Sequence, residues 1–508
     1  MLALLSAATT ILPGAVAMEA TNLRLGATRL VMGRGRSVYV PIAGSLAKWA
    51  KAESDDREIA RVEKGENGLT VTALRPGDAV VTVAAGKVVK ALPVSVRRWS
   101  AEFPQALSAT VVGSPATATS VGGAIESALR LDLQRAPGTT FTYSIDSPVA
   151  VGAGRRVQIP VRVKASGPAS LDNEGQVLVN VENVAAPKTA ESALWYSNDP
   201  ESVKTPQGLF MGDLEAGGRV RFLHHHLNAS RAPMYFRVLA INDSDEPVRL
   251  GIGGGESGPD KDPVRAGLVA GSAFLRAWPS ASGEVVELPP RSFVPLSFRR
   301  VVRGQTVSGL YSLVSLPGAT GNGASVQVIS DAVPLFPLAA DWRGALLSTT
   351  PWRVTGARPL NQLFRLPSSA SVHIYPAPFR EEDVPYRVGG RYGYLRVGQK
   401  AVVRQDREGQ LDGNFGVTYR YNLKLNNPTS GITPVEIAYQ ASAGYSAGVF
   451  LIDDQFVKTP LMQPGSTVRL TKVFLRPGET RSMRLTTVPL SGSSYPATVV
   501  IRPVGVGK

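Results

Sequence analysis

The sequence predicts an all-β protein made of several antiparallel β-sandwich domains in tandem, with one or two short helices. Apolar and polar residues alternate over many short segments, such as 157–164 and 417–425, as in strands with one buried face. Turn signals such as Pro76-Gly77 separate these segments, and the 508 residues include 51 Gly and 38 Pro. The chain has no Cys, so its domains must depend on apolar cores rather than on disulfides or Cys-held metals.

Two segments have helical patterns instead. Ser120–Arg130 fits one short amphipathic helix. A second helix is expected to begin at Asp262-Pro263, because Asp is favoured at the N-cap and Pro at the first helical position. It should run to about Trp278 and bury four apolar residues against a sheet: Val264, Leu268, Val269 and Phe274.

The length predicts three or four domains of about 150 residues each. Turn placement and composition divide the chain into a signal peptide (1–17), a small sandwich (18–98), a small β-rich domain with one short helix (99–187), a β-sandwich with a helix near 263–278 (188–344) and a basic C-terminal β-sandwich (345–508). Tyr235–Gly253 and Tyr419–Ala438 both have the pattern of a strand, an Asn-rich loop and a strand. A duplicated sandwich is one interpretation, and the general pattern of any antiparallel strand pair is the other.

The first residues indicate export. Ala15-Val16-Ala17 fits the small-x-small cleavage pattern of a signal peptide, and it follows an apolar stretch from Leu2 to Leu12. The rest of the sequence contains no run of about 18 apolar residues, so no transmembrane helix is predicted. We therefore expect a secreted or cell-envelope protein, either extracellular or periplasmic.

Charge is distributed unevenly along the chain. Residues 18–98 contain 14 basic and 8 acidic residues and 345–508 contain 20 and 10, whereas 99–344 contain 21 and 22. A positive field favours an anionic partner, which here would be an anionic cell-wall polymer, a glycan or an envelope surface. A basic surface that only aids solubility is the alternative. No nucleic-acid-binding motif is present and export argues against nucleic acid, while protein partners at the cell surface remain open.

Two stretches near the N-terminus have a family pattern. Residues 53–65 read ESDDREIARVEKG and residues 69–83 read LTVTALRPGDAVVTV. Over 22–97 the chain resembles the bacterial immunoglobulin-like group 2 (BIG2) domain, at Ser54, Asp55, Ile59, Ala60, Val62, Gly65, Val71, Ala73, Pro76, Gly77, Ala79 and Val83. The resemblance implies a small sandwich used in surface and secreted proteins as a spacer or adhesion module. The N-terminal domain of secretin-like pilus proteins, with a similar strand order, is the alternative.

The fold class is thus expected to be all-β, with several antiparallel β-sandwich (Ig-like) domains in tandem. Residues 392–503 resemble the C-terminal β regions of uncharacterised secreted bacterial proteins, through Gly413-Asn414-Phe415-Gly416-Val417 and the ending SGSSYPATVVIRP. That second resemblance implies no particular activity.

A run of three histidines is the first candidate metal site. In RVRFLHHHLN, a probable strand, His224 and His226 share a face with Val220 and Phe222, while His225 points the other way. Two His at this spacing can chelate a metal if a third ligand comes from elsewhere. Packing in the core is the alternative role.

Loop carboxylates are a second candidate metal site. Asp243, Asp245, Asp260 and Asp262 precede or follow one strand, so its two loops could bring them together around Ca²⁺, which prefers oxygen ligands. No EF-hand spacing is present, and solvated loop charge is the alternative. Apart from this possible Ca²⁺, no cofactor is predicted.

Glycine-rich and aromatic residues give weaker signals. Gly251–Gly258 lies between a strand and a helix and could hold an anion or a sugar hydroxyl, although it lacks a phosphate-loop Lys. The nucleophile-elbow match Gly444–Gly448 is rejected, because a strand-like segment follows it and no His comes after His373. The six Trp are expected in cores, with a glycan platform as the alternative: Trp49, Trp99, Trp195, Trp278, Trp342 and Trp352.

No catalytic residue can be assigned, so the expectation is a non-enzyme. The leading interpretation is a structural, adhesive or surface-polymer-binding protein of the envelope. A carbohydrate-active enzyme or glycan-binding protein with its site in 190–508 is one alternative; the enzyme would need paired carboxylates in a cleft. A component of a surface appendage or pilus-type assembly is the other.

Overall fold

The computed structural model describes residues 22–147, 149–186, 189–317, 325–335, 357–363, 373–376, 378–404 and 407–504. The predicted signal peptide at 1–17 lies outside the described residues. The predicted fold class is confirmed, since the protein is all-β, with several antiparallel sandwiches in tandem and two α-helices. None of the helices in the described part of the chain is both long and apolar enough to span a bilayer.

The chain forms two compact units. The first contains Met1–Leu107, Asp132–Ser147 and Gln158–Val179, and the second contains Ser108–Leu131, Pro148–Val157 and Asn180–Lys508. The segment 99–187, predicted as one domain, therefore contributes to both units. The predicted boundary between 344 and 345 falls inside the second unit.

The first sandwich has two four-stranded sheets, in the orders β1-β3-β6-β5 and β2-β8-β7-β4. Val40, Leu69, Val81 and Val94 are fully buried between them. Their neighbours along each strand point outward, as the alternation predicts. The strands are β1 (Arg24–Leu25), β2 (Leu30–Gly33), β3 (Ser37–Ala43), β4 (Lys51–Ser54), β5 (Ala60–Lys64), β6 (Gly68–Ala73), β7 (Gly77–Ala85) and β8 (Val88–Arg97).

The following segment contains six strands and the first helix. They are β9 (Ala101–Glu102), β10 (Ala106–Val112), α1 (Ala118–Asp132), β11 (Gln134–Arg135), β12 (Thr140–Ile145), β13 (Arg156–Ser166) and β14 (Asn173–Val184). The helix predicted at Ser120–Arg130 is confirmed and extends slightly further at both ends. Strand β13 alternates buried and exposed residues along most of its length, as predicted.

The second sandwich pairs the sheet β17-β24-β19-β22-β25 with a facing sheet that includes the path β21-β20-β23-β18-β15-β26. Its core includes Phe210, Phe222, Leu250 and Leu313. The elements are β15 (Ala193–Ser197), β16 (Ser202–Val203), β17 (Gln207–Leu214), β18 (Arg219–Asn228), β19 (Met234–Asn242), β20 (Val248–Glu256), α2 (Pro263–Ala277), β21 (Gly283–Leu288), β22 (Ser292–Val301), β23 (Thr306–Leu316), β24 (Val326–Pro334), β25 (Arg358–Pro359) and β26 (Ile374–Pro376).

The C-terminal sandwich pairs the sheet β27-β31-β36-β33-β34 with the sheet β28-β37-β32-β35. Leu423, Ile437, Phe450 and Leu485 lie in its core. The strands are β27 (Phe379–Arg387), β28 (Gly393–Val397), β29 (Val402–Val403), β30 (Gln410–Leu411), β31 (Thr418–Asn426), β32 (Thr433–Gln440), β33 (Val449–Ile452), β34 (Gln455–Lys458), β35 (Thr467–Leu475), β36 (Thr480–Thr487) and β37 (Ala497–Pro503).

The second and C-terminal sandwiches share one arrangement of four strands, and the predicted duplication stays a prediction. Strand β19 pairs with β22 as β31 pairs with β36, and β20 pairs with β21 as β32 pairs with β35, all antiparallel. They differ in the connection that follows β20 or β32. The second sandwich has α2 there, whereas the C-terminal sandwich has the hairpin β33–β34.

A buried Asn closes the same loop in both sandwiches. The side-chain amide of Asn242 donates to three backbone carbonyls, and that of Asn427 does the same. In each case the carboxamide oxygen accepts from the residue two positions later, Ser244 or Thr429. The polar loop between the two strands is therefore held by a side chain instead of a backbone ladder.

Helix α2 begins as predicted. The Asp262 side chain accepts hydrogen bonds from the backbone amides of Val264 and Arg265, so Asp262 is the N-cap. Of the four residues expected to be buried, Val264 and Phe274 are buried and Leu268 is partly buried. The expectation for Val269 is wrong, because its side chain is 36% exposed on the solvent side of the helix.

Candidate functional site

A cavity of about 430 Å³ lies in the second unit, beside the C-terminal end of α2. Its walls come from the end of α2 and the turn after it, from β18 and β20, and from the start of β27 and β31 in the C-terminal sandwich. The residues that determine its chemistry are Glu191, Arg219, Gly254, Trp278, Phe379 and Arg420.

The glycines predicted as a loop form part of one cavity wall. Most of Gly251–Gly258 belongs to strand β20 rather than to a loop, and Gly253 and Gly254 line the cavity. At Gly254, where φ is +95°, a Cβ atom would lie 2.2 Å from the carbonyl oxygen of Leu310. The backbone therefore needs glycine here for both its conformation and its close approach to β23.

Glu191 is the polar centre of the cavity. Its carboxylate pairs with Arg221, and one oxygen, Oε2, also accepts from the indole nitrogen of Trp278 at 3.4 Å. The Glu191 side chain is 8% exposed, and its other oxygen, Oε1, is buried with no hydrogen-bond partner among the described residues. Arg219 lines the same wall; burial lowers the pKa of its guanidinium and Glu191 opposes that shift.

Arg221, the ion-pair partner of Glu191, is itself held by several hydrogen bonds. Its side chain is fully buried, and Nη1 donates to the carbonyl oxygens of Pro378 and Gly416 and to the hydroxyl of Thr418, at 2.6–2.8 Å. Its guanidinium carbon also lies 4.6 Å from the ring centroid of Phe274. Because Arg221 belongs to the second sandwich and three of its partners to the start of the C-terminal one, it joins the two.

An aromatic pair forms the outer wall of the cavity. The ring centroids of Trp278 and Phe379 are 5.7 Å apart, and the guanidinium carbon of Arg420 lies 5.5 Å from the first and 5.0 Å from the second. Glu381 lies 3.8 Å from Arg420. Cation–π contacts of this kind hold both rings in place. The cavity therefore combines apolar ring faces with one carboxylate acceptor and guanidinium donors.

A second candidate surface is the outer face of the sheet β28-β37-β32-β35. Its inward residues, such as Leu395, Val473 and Ile501, lie in the core. Their neighbours point outward and form what we call the basic outer face: Tyr394, Arg396, Glu436, Arg469, Lys472, Phe474 and Arg502. This face has four cations and one carboxylate, and its two aromatic side chains are 60% and 58% exposed.

Contacts within the basic outer face leave part of its charge free. Glu436 accepts from Arg502 at 2.6 Å and lies 3.9 Å from Arg469. Lys472 lies 4.8 Å from the ring centroid of Phe474. The single carboxylate is thus shared by two arginines, and the face keeps a net positive charge.

The structure places His224 inside the second sandwich. Its ring stacks on Phe222 and Tyr311, with centroids 5.9 and 6.0 Å away. Its Nε2 lies 4.0 Å from Glu256, which is paired with Arg299 at 2.6 Å. Burial holds the pKa of His224 well below its ordinary value, so the ring is neutral at pH 7.

His225 and His226 are equally buried. His226 contacts the hydroxyl of Ser197 and the carbonyl of Pro200 through its two ring nitrogens, at 3.0 Å each. His225 points to the opposite face, as predicted, where its Nε2 lies 3.9 Å from Glu201. Burial lowers the pKa of His225 to about 3 and that of His226 to about 4.

Arginine 291 holds the first two predicted carboxylates. It bonds Asp243 and Asp245 at 2.9 Å each, and these hydrogen bonds lower the pKa of Asp245. Asp260 is bonded by Arg265 at 2.6 Å, and Asp262 caps α2.

The structure does not gather the six predicted ligands at one point. Within the described ranges, no three His, Asp or Glu side chains are grouped so as to hold a metal ion. The metal and Ca²⁺ assignments therefore remain predictions without a site to support them.

Sequence reasoning missed the central ion pair of the cavity. Glu191 and Arg221 are 30 positions apart, and each alone resembles an ordinary surface charge. The sequence contains one signal of this pair. Arg219 and Arg221 lie in a strand whose other residues are mostly apolar or His, which indicates that both faces of the strand are largely buried.

Comparisons with known proteins assign the chain to no family. No family model and no curated protein matches the chain, so the BIG2 resemblance of 22–97 stays a prediction. The structure shows an Ig-like sandwich in this segment, without assigning it to a family. Solved structures that match include human mucin-like protocadherin EC1-2 (11% identity, 32% of this chain, 98% of that chain, TM-score 0.14), domains 5–6 of the S-layer protein SbsC (11%, 32%, 97%, 0.14) and the insect immune protein hemolin (14%, 43%, 62%, 0.17). Matches at these identities and TM-scores carry no conclusion about function.

Proposed function

We propose that the protein is a non-enzymatic structural or adhesive protein, secreted or held in the cell envelope, that binds an anionic surface polymer or acidic glycan. The observation that carries this proposal is the basic outer face of the C-terminal sandwich. Four cations and two exposed aromatic rings lie there on a sheet whose other side is a packed core.

The geometry of this face suits a chain-like polyanion. Neighbouring strands are about 4.8 Å apart, and residues two positions apart on a strand are about 6.7 Å apart, so the cations form a rigid array. Arg396 and Lys472 have no carboxylate within 4 Å among the described residues, and they remain available to an anion. Tyr394 and Phe474 add apolar area against which sugar rings can pack.

Two other functions receive less support. Glycoside hydrolysis generally needs a pair of carboxylates about 5–10 Å apart, and of the described residues lining the cavity only Glu191 is a carboxylate. An appendage role needs unpaired strand edges. The edge strand β27 carries Arg380, Glu381, Glu382 and Asp383, and charge on an edge disfavours strand addition.

The test is retention of the full chain on immobilised polygalacturonate across a salt series. Charge screening predicts a fall in binding of at least about tenfold between 50 and 300 mM NaCl. The variant Arg396→Gln/Arg469→Gln/Lys472→Gln is expected to lose most of the binding at low salt.

A matched control removes three exposed cations elsewhere: Arg155→Gln/Arg162→Gln/Arg231→Gln. It should bind almost as the parent does. Equal losses of binding in the two triple variants would mean that binding depends on the net charge of the protein. The basic outer face would then not be the binding site. Equal retention on duplex DNA would contradict a polymer of the envelope.

A further inference from the structure

We propose that the cavity beside α2 is a binding site for a neutral sugar ring of the pyranose type. This site is separate from the basic outer face, and the inference does not depend on polymer binding there. Three features of the cavity carry it: an unpartnered carboxylate oxygen, a guanidinium beside it, and a fixed pair of aromatic rings.

The unpartnered oxygen requires a hydrogen-bond donor. Arg221 and Trp278 both bond the Glu191 carboxylate through Oε2, and Glu191 lines the cavity. Its Oε1 is buried without a partner among the described residues. A buried acceptor left unpaired is costly, and a hydroxyl group entering the cavity would satisfy it.

The neighbouring guanidinium supplies the opposite polarity. Arg219 lines the same wall and is close enough to Glu191 for the carboxylate to shift its pKa. An acceptor and a donor lining one cavity can serve two hydroxyl groups of one ligand, one donating to Glu191 and the other accepting from Arg219. Adjacent hydroxyls on a rigid ring are the defining chemistry of a sugar.

The walls select a ring with apolar faces. Trp278 and Phe379 line the cavity, and Phe274 and Ala277 complete the apolar lining. Because Arg420 lies over both outer rings, they are already positioned before a ligand arrives. The C–H face of a pyranose packs on such rings, as apolar area does in small-molecule sites generally.

The charges argue for a neutral ligand. A ligand carboxylate would be attracted by Arg219 and Arg420, but it would be repelled by Glu191 and has no hydrogen to donate to Oε1. An ammonium group would be repelled by both arginines. A neutral polyol meets neither repulsion. The cavity volume of about 430 Å³ lies within the roughly 300–1,000 Å³ usual for small-ligand sites.

The test is calorimetric titration of the full chain with N-acetylglucosamine, glucose and glucuronate. We expect saturable binding of a neutral sugar, weaker binding of glucuronate, and a loss of about tenfold or more in affinity for Glu191→Gln and for Trp278→Ala. Trp49→Ala, at a Trp that is 70% exposed in the first sandwich, is the matched control and should bind as the parent does.

A third variant guards against misfolding. Glu191→Gln weakens the partner of a buried arginine, so its loss of binding could follow from unfolding. Ala277→Phe fills the cavity from its wall and leaves the Glu191–Arg221 pair intact; it should keep the parent's melting temperature and abolish sugar binding.

Three results would overturn the inference. They are sugar binding by Ala277→Phe at parental affinity, tighter binding of glucuronate than of both neutral sugars, and no saturable binding of either neutral sugar up to about 50 mM. Retention of Ala277→Phe on polygalacturonate reports on the basic outer face alone. Failure of either proposal is therefore distinguishable from failure of the other.

Discussion

The second and C-terminal sandwiches have the same strand arrangement and use the outer face of the corresponding sheet in opposite ways. In the second sandwich, Leu223 and Leu310 on that face are buried against α2 and the C-terminal sandwich. In the C-terminal sandwich, the corresponding sheet presents Arg396 and Lys472 to solvent. The same strand arrangement thus has one outer face used for internal packing and the other open to solvent.

The inserted connection accounts for this difference. In the second sandwich the insertion is α2, which packs on β20 and β23 and covers the sheet. In the C-terminal sandwich the insertion is the hairpin β33–β34, which extends the opposite sheet. The cavity lies at the end of α2, so the same insertion that closes this face also builds the candidate ligand site.

The largest effect is expected at the junction of the two sandwiches. Arg221→Met should cost about 4 kcal/mol in the free energy of unfolding, because it leaves Glu191 as an unpaired buried charge. Urea denaturation measures the loss. Arg249→Met, at an arginine of β20 paired with Glu287 near the surface, is the control and should cost less than about 1 kcal/mol. Similar costs for both would mean that the junction is not held by Arg221.

The close packing of α2 gives the next largest effect. A Cβ atom at Gly267 would lie 1.9 Å from the backbone carbonyl oxygen of Ser491, which cannot move aside as a side chain could. Gly267→Ala should therefore destabilise the protein by about 3 kcal/mol. Gly122→Ala in α1, where no atom lies within 4 Å of the new Cβ, should be neutral or stabilise by up to about 1 kcal/mol. A neutral Gly267→Ala would show that α2 is not closely packed on the C-terminal sandwich.

Acid should destabilise the second sandwich more than the C-terminal sandwich. The folded pKa values of His225 and His226 lie below the unfolded value of about 6.5, so their contribution to stability is full above pH 6.5 and is lost as pH falls below it. Between pH 7 and pH 5.5 the two together should lose about 2–3 kcal/mol. Glu256, whose pKa burial raises, works in the opposite direction.

Hydrogen exchange, corrected for the intrinsic pH effect, measures this loss for each strand. Protection of β18 should fall at pH 5.5. The segment 378–504, which has no His, is the internal reference. Unchanged protection of β18 would contradict the assignment of neutral, buried rings, and an equal fall in both sandwiches would show that they unfold together.

Substitution of the two loop-closing residues, Asn242 and Asn427, should have the smallest effect on stability, and the effect should be equal in both sandwiches. Asn242→Ala and Asn427→Ala each remove three hydrogen bonds to buried carbonyls and should cost about 2 kcal/mol by urea denaturation. Asn426→Ala, at a half-buried neighbour whose hydrogen bond to Thr480 is exposed, should stay within about 0.5 kcal/mol of the parent. If only one of the two substitutions lowers stability, the correspondence between the sandwiches extends to strand order but not to this loop.

The fold was predictable wherever burial leaves a periodic pattern. Strand β13 alternates because one face is buried, and α2 starts at a residue that caps it. Strand β19 is buried throughout, so no period reveals its faces. The glycine segment 251–258 has the composition and position of a loop before a helix, yet close packing against β23 requires glycine within the strand.

The candidate sites were predictable only in outline. The basic character of 345–508 follows from composition, but a bulge between Ile437 and Ala438 shifts which side chains share the outer face. Gly254 and Trp278 belonged to segments or residue types noted in the sequence. Their convergence with Glu191 depends on contacts between distant parts of the chain, which local patterns do not encode.

The buried Arg221 also has a mechanical consequence. The second and C-terminal sandwiches share one continuous core, and a fully buried guanidinium bonds one to the backbone of the other. Tension applied to one sandwich is therefore transmitted to the other through packed side chains, with little extension at this joint. A polymer held on the C-terminal sandwich would be coupled stiffly to whatever the second sandwich contacts.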